Sequence, residues 1–498
     1  MWAKVTSIGL KGMAGYRMHV EAGSYVGNDS FKIVGLPDAT VKESKERIIA
    51  ALRTLGYHLS GQKITINLSP SDQKKFGSLF DLPMAVAILK SLHELEVTVP
   101  EDTGFLGSLS LDGSIQPVKG MLPAVLAAKR LGIQKLYMPY DQDLPDLKLE
   151  PMKIIYVTSL QETILHLSGQ WVPPFTKKQD GEKFHRSIDY LDMEQIIGHK
   201  SAKHALEVAA AGEHHVLLTG PPGCGKSMLA ESFPSILPAL SKESLLEVIS
   251  LYQLSQNFYP RSQMPPFRNP HHSASGVSII GGGQYPKPGE ISLAHRGVLF
   301  LDEIGEFSKK TLDMLRQPLE NGLIMISRTN ATITYPASFL LIAAMNPCPC
   351  GYAGSNTHYC TCTNKQILAY QNKLSGPLRD RFDINLCLKP IHFNTFTIEK
   401  GGESSKIIRE RVENARKRQF DRYGGEVCNG RIPYEVLIRK SPLTNEQQST
   451  LQRLAIKRNW SNRTQVKIIR LARTISDLQA SDTITDQSIL DAIKLNEV

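Results

Sequence analysis

No stretch of the 498-residue chain approaches the roughly 20 consecutive apolar residues that span a bilayer. The opening MWAKVTSIGLKGMAGYRMHV lacks the unbroken apolar core of a secretory signal. Both absences point away from membrane and export. Cysteine is scarce and odd in number, seven in all, and no C-x-x-C pair occurs. A disulfide framework or dithiol redox site is therefore not expected, and the cytoplasm is the expected compartment. Negative charge is in deficit, 48 Asp and Glu against 58 Lys and Arg, for a net charge of +10. The surplus lies late in the chain. Residues 391–498 hold 19 basic and 13 acidic side chains, residues 1–170 hold 18 and 17. This hints at an anionic partner, though many basic proteins bind no nucleic acid. No short-period repeat is present, and the composition is that of a globular protein of two or three domains.

Three blocks follow from hydrophobic periodicity. Residues 1–172 alternate strand-like runs (KITINLS, KLYMPY, KIIYVT) with helical ones, predicting an α/β or α+β domain. A polar, proline-containing segment at 173–192 reads as a linker. Residues 193–390 read as strand, glycine loop, helix and strand, and residues 391–498 as almost entirely helical. The fold class expected for the whole chain is α/β.

VLLTGPPGCGKSMLA carries the pattern G-x-x-x-x-G-K-[ST] over Gly220, Pro221, Pro222, Gly223, Cys224, Gly225, Lys226 and Ser227, with Met228 next. An apolar strand precedes it and a helix follows, the context in which such a loop wraps phosphates with its N–H groups. Lys226 is expected to reach the β- and γ-phosphates of ATP, and Ser227 to bind Mg²⁺. In GVLFLDEI, Asp302 and Glu303 emerge from a buried strand. Asp302 is expected to help hold Mg²⁺, and Glu303 to orient and deprotonate the attacking water. SFLLIAAM reads as a third buried strand, ending at Asn346, a polar group suited to sensing the γ-phosphate. The chemistry expected is ATP hydrolysis.

FRNPHHSASGVSIIGGGQYPKPGEISLAHRGVLFLDEIGEF and LSGPLRDRFDI resemble the magnesium-chelatase-like AAA+ ATPases of the YifB/ComM family, over essentially the whole chain. The resemblance implies an AAA+ core followed by a helical lid. It further implies a homo-hexameric DNA motor, a branch-migration helicase of recombination and natural transformation, acting on branched or single-stranded DNA. It assigns Arg381 of DRFD to a neighbouring subunit's γ-phosphate, with Arg379 as fallback. It makes Arg463 the lid arginine that touches phosphate, with Arg470 and Arg473 as alternatives. Arginine suits such tasks because its planar fork keeps its charge. An insertion at 255–297 and a hairpin at 320–338 would face the ring's pore. There Arg268, His271, His272, Lys287 and Arg328 are candidates for DNA contact, against the reading that they shape the insertion. The other functions open are a magnesium-chelatase ATPase subunit, a protease or unfoldase, and a non-motor ATPase switch. The D-x-S-x-S site of a chelatase partner subunit is missing.

Residues 1–172 resemble the proteolytic domain of Lon-type proteases, a fold shared with a ribosomal-protein domain. QKKFGSLFDLPMAVAIL and SIQPVKGMLPAVLAAKRLG align with the segments carrying that protease's serine and lysine. Leu79 and Leu122 fall at the two catalytic places, with Ser78 and Lys119 nearby. Two leucines cannot form a Ser–Lys dyad, so a scaffolding or DNA-binding domain is expected. Finally, NPCPCGYAGSNTHYCTC places Cys348, Cys350, Cys360 and Cys362 in two C-x-C pairs. Four thiolates suit structural Zn²⁺, with His358 able to replace one, while reduced, unliganded cysteines are the alternative.

Overall fold

The computed structural model describes residues 2–142, 144–145, 149–173, 175, 190–257, 259, 262–283, 286–328, 331–354, 358–390 and 402–497. The segment 173–192, expected to be a linker, lies mostly outside them. The chain divides into two compact units, Met1–His185 with Ile249–Arg261, and Arg186–Val248 with Ser262–Val498. Among the described residues no helix is long and apolar enough to cross a membrane.

The first unit is built on strands β1 (Trp2–Lys11), β2 (Ala14–Val26), β3 (Ser30–Val34), β4 (Gln62–Ser69), β5 (Thr103–Phe105), β6 (Ser108–Leu109), β7 (Ile115–Gln116), β8 (Lys135–Met138) and β9 (Lys153–Tyr156). Seven of them form one mixed sheet in the order β3-β4-β2-β1-β5-β8-β9. β1 and β2 pair antiparallel with Lys11 opposite Ala14, joined through Gly12 at φ +66°, the left-handed region glycine enters without a Cβ clash. In β4, QKITINLS, Ile64, Ile66 and Leu68 are buried and their neighbours are not, the period-2 signature of a strand with one covered face. The helix Asp81–Ser91, DLPMAVAILKS, is buried on all sides from Asp81 to Leu89, so its hydrophobicity is a core signal rather than an amphipathic stripe.

The second unit holds a five-stranded parallel sheet in the order β11-β14-β17-β10-β18. Its members are β10 (Val216–Thr219), β11 (Phe267–Arg268), β14 (Val298–Leu301), β17 (Leu340–Met345) and β18 (Ile384–Cys387). The short strands β12 (Gly281–Gly282) and β13 (Lys287–Pro288) pair within the 255–297 segment. β15 (Leu323–Arg328) and β16 (Ala331–Pro336) form the hairpin expected at 320–338. VLFL of β14 and LLIAAM of β17 are buried at every position, as parallel strands covered on both faces must be. From Ser405 onward the chain is helical: Ser405–Tyr423, Tyr434–Lys440, Asn445–Arg458, Asn462–Leu478 and Asp486–Asn496. The basic helix Ser405–Tyr423 spends several arginines on its own unit. Arg416 donates to the Ala210 carbonyl at 2.7 Å, Arg409 to Ser235, and Arg411 and Arg422 pair with Glu207 and Asp477. Mixed α/β architecture with a parallel sheet and a helical C-terminal part is the fold class the sequence implies.

Candidate nucleotide site

Four strands of the second unit's sheet deliver polar groups to two opposite ends. At the C-terminal end, β10 runs into the phosphate loop. Gly223 and Gly225 there have φ of +74° and +85°, conformations that a Cβ would strain. The helix Lys226–Ser232 follows immediately. Lys226 is nearly buried, and its Nζ donates to the carbonyls of Gly220 (2.7 Å) and Pro221 (2.9 Å) and to Oδ1 of Asn346 (3.1 Å). Burial pushes its pKa down, opposed by Cys224, Asp302 and Glu303. Ser227 Oγ donates to Asp302 Oδ2 at 2.8 Å, and Asp302 Oδ1 accepts the Glu303 N–H at 2.9 Å. Asp302 stands at the end of β14 and Asn346 at the end of β17, so three parallel strands converge on one point, the usual place for a ligand in an open α/β sheet. Ser227 and Asp302 are hard oxygen donors in direct contact and fit a hard divalent cation. Glu303 sits at φ +49°, costly for a residue with a Cβ, and keeps its carboxylate half-exposed. Cys224 is packed inside the loop, where burial raises its thiol pKa. Pro222 and Met228 are exposed on the rim.

Arg381 and Arg463 lie elsewhere. β18 runs parallel to β10, with Ile384 opposite Val216, so the residues just before β18 stand at the sheet's N-terminal end. A four-residue strand of about 3.3 Å rise per residue separates that end from the phosphate loop by roughly 13 Å. Arg381 forms an ion pair with Glu320, and its pKa is lowered by burial and by neighbouring Arg463. Arg463 Nη1 is 4.0 Å from Asp380. Arg379 donates to the Gln371 carbonyl at 3.0 Å, Arg470 to that of Ile432, and Arg473 is fully buried against Asp477 at 3.0 Å. All three are thereby engaged within their own unit.

Sequence comparison decides the family. Residues 192–396 match the description "Magnesium chelatase, subunit ChlI", residues 20–142 "Subunit ChlI of Mg-chelatase" and residues 402–496 "Magnesium chelatase, subunit ChlI C-terminal". The Escherichia coli protein designated "Uncharacterized protein YifB" is 38% identical over 470 residues, 94% of this chain and 91% of that one. "Competence protein ComM" of Haemophilus influenzae is 38% identical over 474 residues, 94% and 92% of the two chains. The chain belongs to the magnesium-chelatase-like YifB/ComM family. The first unit adds a partial likeness: "Lon protease 2" of Bacillus subtilis is 31% identical over 124 residues, 25% of this chain and 22% of that protein.

In this YifB/ComM member the two leucines expected at Lon-like catalytic places are part of the core. Leu79 and Leu122 are buried, and the Leu122 N–H donates to Gln253 Oε1 at 3.0 Å. Asp81, fully buried two residues after Leu79, accepts from Arg47 Nε (2.7 Å) and Nη2 (3.1 Å), Ser108 Oγ (3.1 Å) and the Leu109 N–H (3.1 Å). The Leu79–Asp81 segment is held by a satisfied buried ion pair. Lys119 is exposed, and among the described residues no hydrogen bond joins it to Ser78.

The insertion's candidate DNA contacts separate. Arg268 is forked onto Glu290, Nε–Oε2 2.6 Å and Nη2–Oε1 2.7 Å, which commits its guanidinium to the fold rather than to a phosphate. His271 hydrogen-bonds Ser273 Oγ at 2.7 Å and lies over His272, ring centroids 4.1 Å apart. His272 Nδ1 is 3.7 Å from Glu303 Oε2, so the 255–297 segment reaches the Glu303 carboxylate. Lys287 is exposed in β13. The side chain of Arg328 lies outside the described residues. Sequence reasoning also missed His199, whose ring nitrogen would stand 3.5 Å from a Cβ on Gly225. Only the tertiary fold brings it to the loop.

The four clustered cysteines converge. One sulfur from each lies within 4.8 Å of the others, and all four are free thiols. His358 stacks on Tyr352 at 4.7 Å and is not part of the cluster.

Proposed function

We propose that this chain is an ATP-hydrolysing DNA motor that works as a homo-hexameric ring in the cytoplasm, acting in branch migration during recombination or natural transformation. The observation that carries the oligomeric reading is the split of its charged groups between the two ends of one parallel sheet. Lys226, Ser227, Asp302, Glu303 and Asn346 form one end, while Arg381 and Arg463 lie at the other. A single chain therefore offers a phosphate-binding half and an arginine-bearing half, and a ring lets one chain's arginines meet the next chain's nucleotide.

In this reading the phosphate-loop N–H groups and Lys226 bind the ATP phosphates. Bound Mg²⁺ would be held through Ser227 and Asp302 and would neutralise charge on the β- and γ-phosphates. Glu303 takes the proton from the attacking water, Asn346 orients that water or the γ-phosphate, and the neighbour's Arg381 stabilises the equatorial charge of the transferring phosphoryl group. The four cysteines hold a structural Zn²⁺ ion. DNA as the partner draws on the printed name of the Haemophilus relative and on the basic C-terminal part.

The alternative is a magnesium-chelatase ATPase subunit, favoured by the three family descriptions. Hydrolysis rates measured with single-stranded and branched DNA, with an unfolded protein, and with a tetrapyrrole plus magnesium discriminate among the readings. Stimulation by DNA alone is expected, at least severalfold and abolished by Lys226→Ala. A response only to the tetrapyrrole or to protein would overturn the DNA reading.

A further inference from the structure

The cysteine cluster and the phosphate loop touch. Cys348 Sγ is 3.3 Å from Cys350 Sγ and 3.7 Å from Cys360 Sγ, and Cys350 Sγ is 3.6 Å from Cys360 Sγ. A zinc ion with thiolates at about 2.3 Å places its sulfurs about 3.8 Å apart at the corners of a tetrahedron, so little movement is needed to seat the ion. Cys348 is buried, and its sulfur also accepts the Ala353 N–H at 3.2 Å. The turn is closed by the Gly351 N–H donating to the Cys348 carbonyl at 3.0 Å.

Two contacts lead from this turn to the nucleotide site. Cys348 follows Asn346 by two residues, and Asn346 Oδ1 holds Lys226 Nζ. Gly351, at φ +85°, lies against the loop itself: a Cβ there would stand 2.7 Å from both Cγ and Cδ of Pro222. Backbone packs on a rigid pyrrolidine ring, with no flexible side chain between them to absorb a shift.

We propose that zinc bound by Cys348, Cys350, Cys360 and Cys362 fixes the Cys348–Gly351 turn as a buttress on Pro222, so that metal occupancy sets the affinity of the phosphate loop for ATP. This rests on the zinc reading given under the proposed function and adds a role to it. A segment whose described residues form no helix or strand has many conformations to lose. A four-point metal clip removes them, and the contact with Pro222 passes that order to the loop.

The test uses the full-length protein, zinc analysis and equilibrium binding of a fluorescent, non-hydrolysable ATP analogue. The wild type should carry about one zinc per chain. Removing it with a chelator selective for zinc over magnesium should weaken nucleotide binding by roughly threefold to thirtyfold, the range for coupling through a packed network, and added Zn²⁺ should restore it. Because this cycle is run on one protein, it does not depend on whether a cysteine variant folds. Gly351→Ala, strained at φ +85° and driving its methyl group against Pro222, should in its zinc-loaded form bind nucleotide more weakly by a similar factor. A wild type without stoichiometric zinc overturns the zinc reading itself. Zinc that comes and goes with no change in nucleotide affinity leaves the metal site standing and overturns the buttress, as does Gly351→Ala with wild-type affinity.

Discussion

Glu303 carries two features that usually accompany a working side chain: a backbone conformation unfavourable to any residue with a Cβ, and a carboxylate left partly open to solvent. Its neighbour Asp302 is differently placed, bonded to Ser227 on one oxygen and to the Glu303 N–H on the other. The two acids therefore divide the labour proposed here, one holding the cation and the other handling the water. Replacing Glu303 by Gln leaves Ser227, Asp302 and Lys226 in place. ATP affinity in equilibrium binding should stay within a few-fold of wild type, while turnover falls by at least about 10²-fold, as for loss of a general base. Near-normal hydrolysis in that variant would remove Glu303 from the mechanism. Arg268 teaches the opposite lesson. A basic residue in an insertion looks available in sequence, yet Glu290, 22 residues on, occupies the Nε–Nη2 edge of its guanidinium.

Among the elements, the N-terminal ends of β10 and β18 are joined to the helix Asn462–Leu478 by a buried polar cluster. His214 Nε2 meets Thr474 Oγ1 at 2.8 Å, His214 Nδ1 lies 3.4 Å from Asp383, and Lys467 Nζ donates to the Phe382 carbonyl at 2.9 Å. His215 Nδ1 accepts the Leu341 N–H at 3.0 Å, which requires an unprotonated nitrogen. Burial, reinforced by Arg431 and His214 and opposed by Asp383 and Glu213, lowers the His215 pKa to about 4. Asp383 is pushed up by burial, but His214, His215 and Lys467 outweigh this and hold it at about 2. His215 titrates near 6.5 when unfolded, so between pH 6.5 and 4 the unfolded chain binds the extra proton. Its contribution, on the order of 3 kcal/mol, is complete above pH 6.5 and is lost as pH falls toward 4. The Asp383 contribution is lost only lower, from about pH 3.8 toward 2. Urea unfolding of the second unit, followed by Trp460 in a Trp2→Phe, Trp171→Phe background, should show this decline. His215→Gln should flatten it between pH 6.5 and 4, whatever its absolute stability. Equal slopes in the two proteins would remove His215 as the cause.

For the whole molecule, the decisive property is that its charged groups occupy two ends of a sheet that no side chain can bridge. Arg381→Ala should bind ATP normally and hydrolyse it poorly, because an arginine supplied by a neighbour can contribute about 10³-fold or more to phosphoryl transfer. Lys226→Ala should be inactive for the complementary reason. Mixing the two should restore part of the activity, through interfaces where an intact phosphate loop meets an intact Arg381. If each chain uses its own arginine, no mixture recovers, and the ring reading loses its main physical support.

The phosphate loop, the Asp302–Glu303 pair and Asn346 were legible because each is a local pattern, an apolar strand ending in a polar residue. Parallel strands bring such C-terminal ends together without further information. The Lon-like stretch was legible as a segment, and Leu79 and Leu122 were visible in the letters alone. Other features depend on strand order and on residues far apart in the chain. The order β11-β14-β17-β10-β18 decided that Arg381 and Arg463 share an end opposite Lys226. Packing decided that Glu290 takes Arg268, that Glu320 takes Arg381, that His272 approaches Glu303, and that Gly351 rests on Pro222. The spacing of the four cysteines left their geometry open, and only the folded loop brought the sulfurs within one ion's reach. Local chemistry belongs to the sequence because its range is a few residues. Partnership belongs to the tertiary structure, because a charge or a surface pairs with whatever the fold sets beside it.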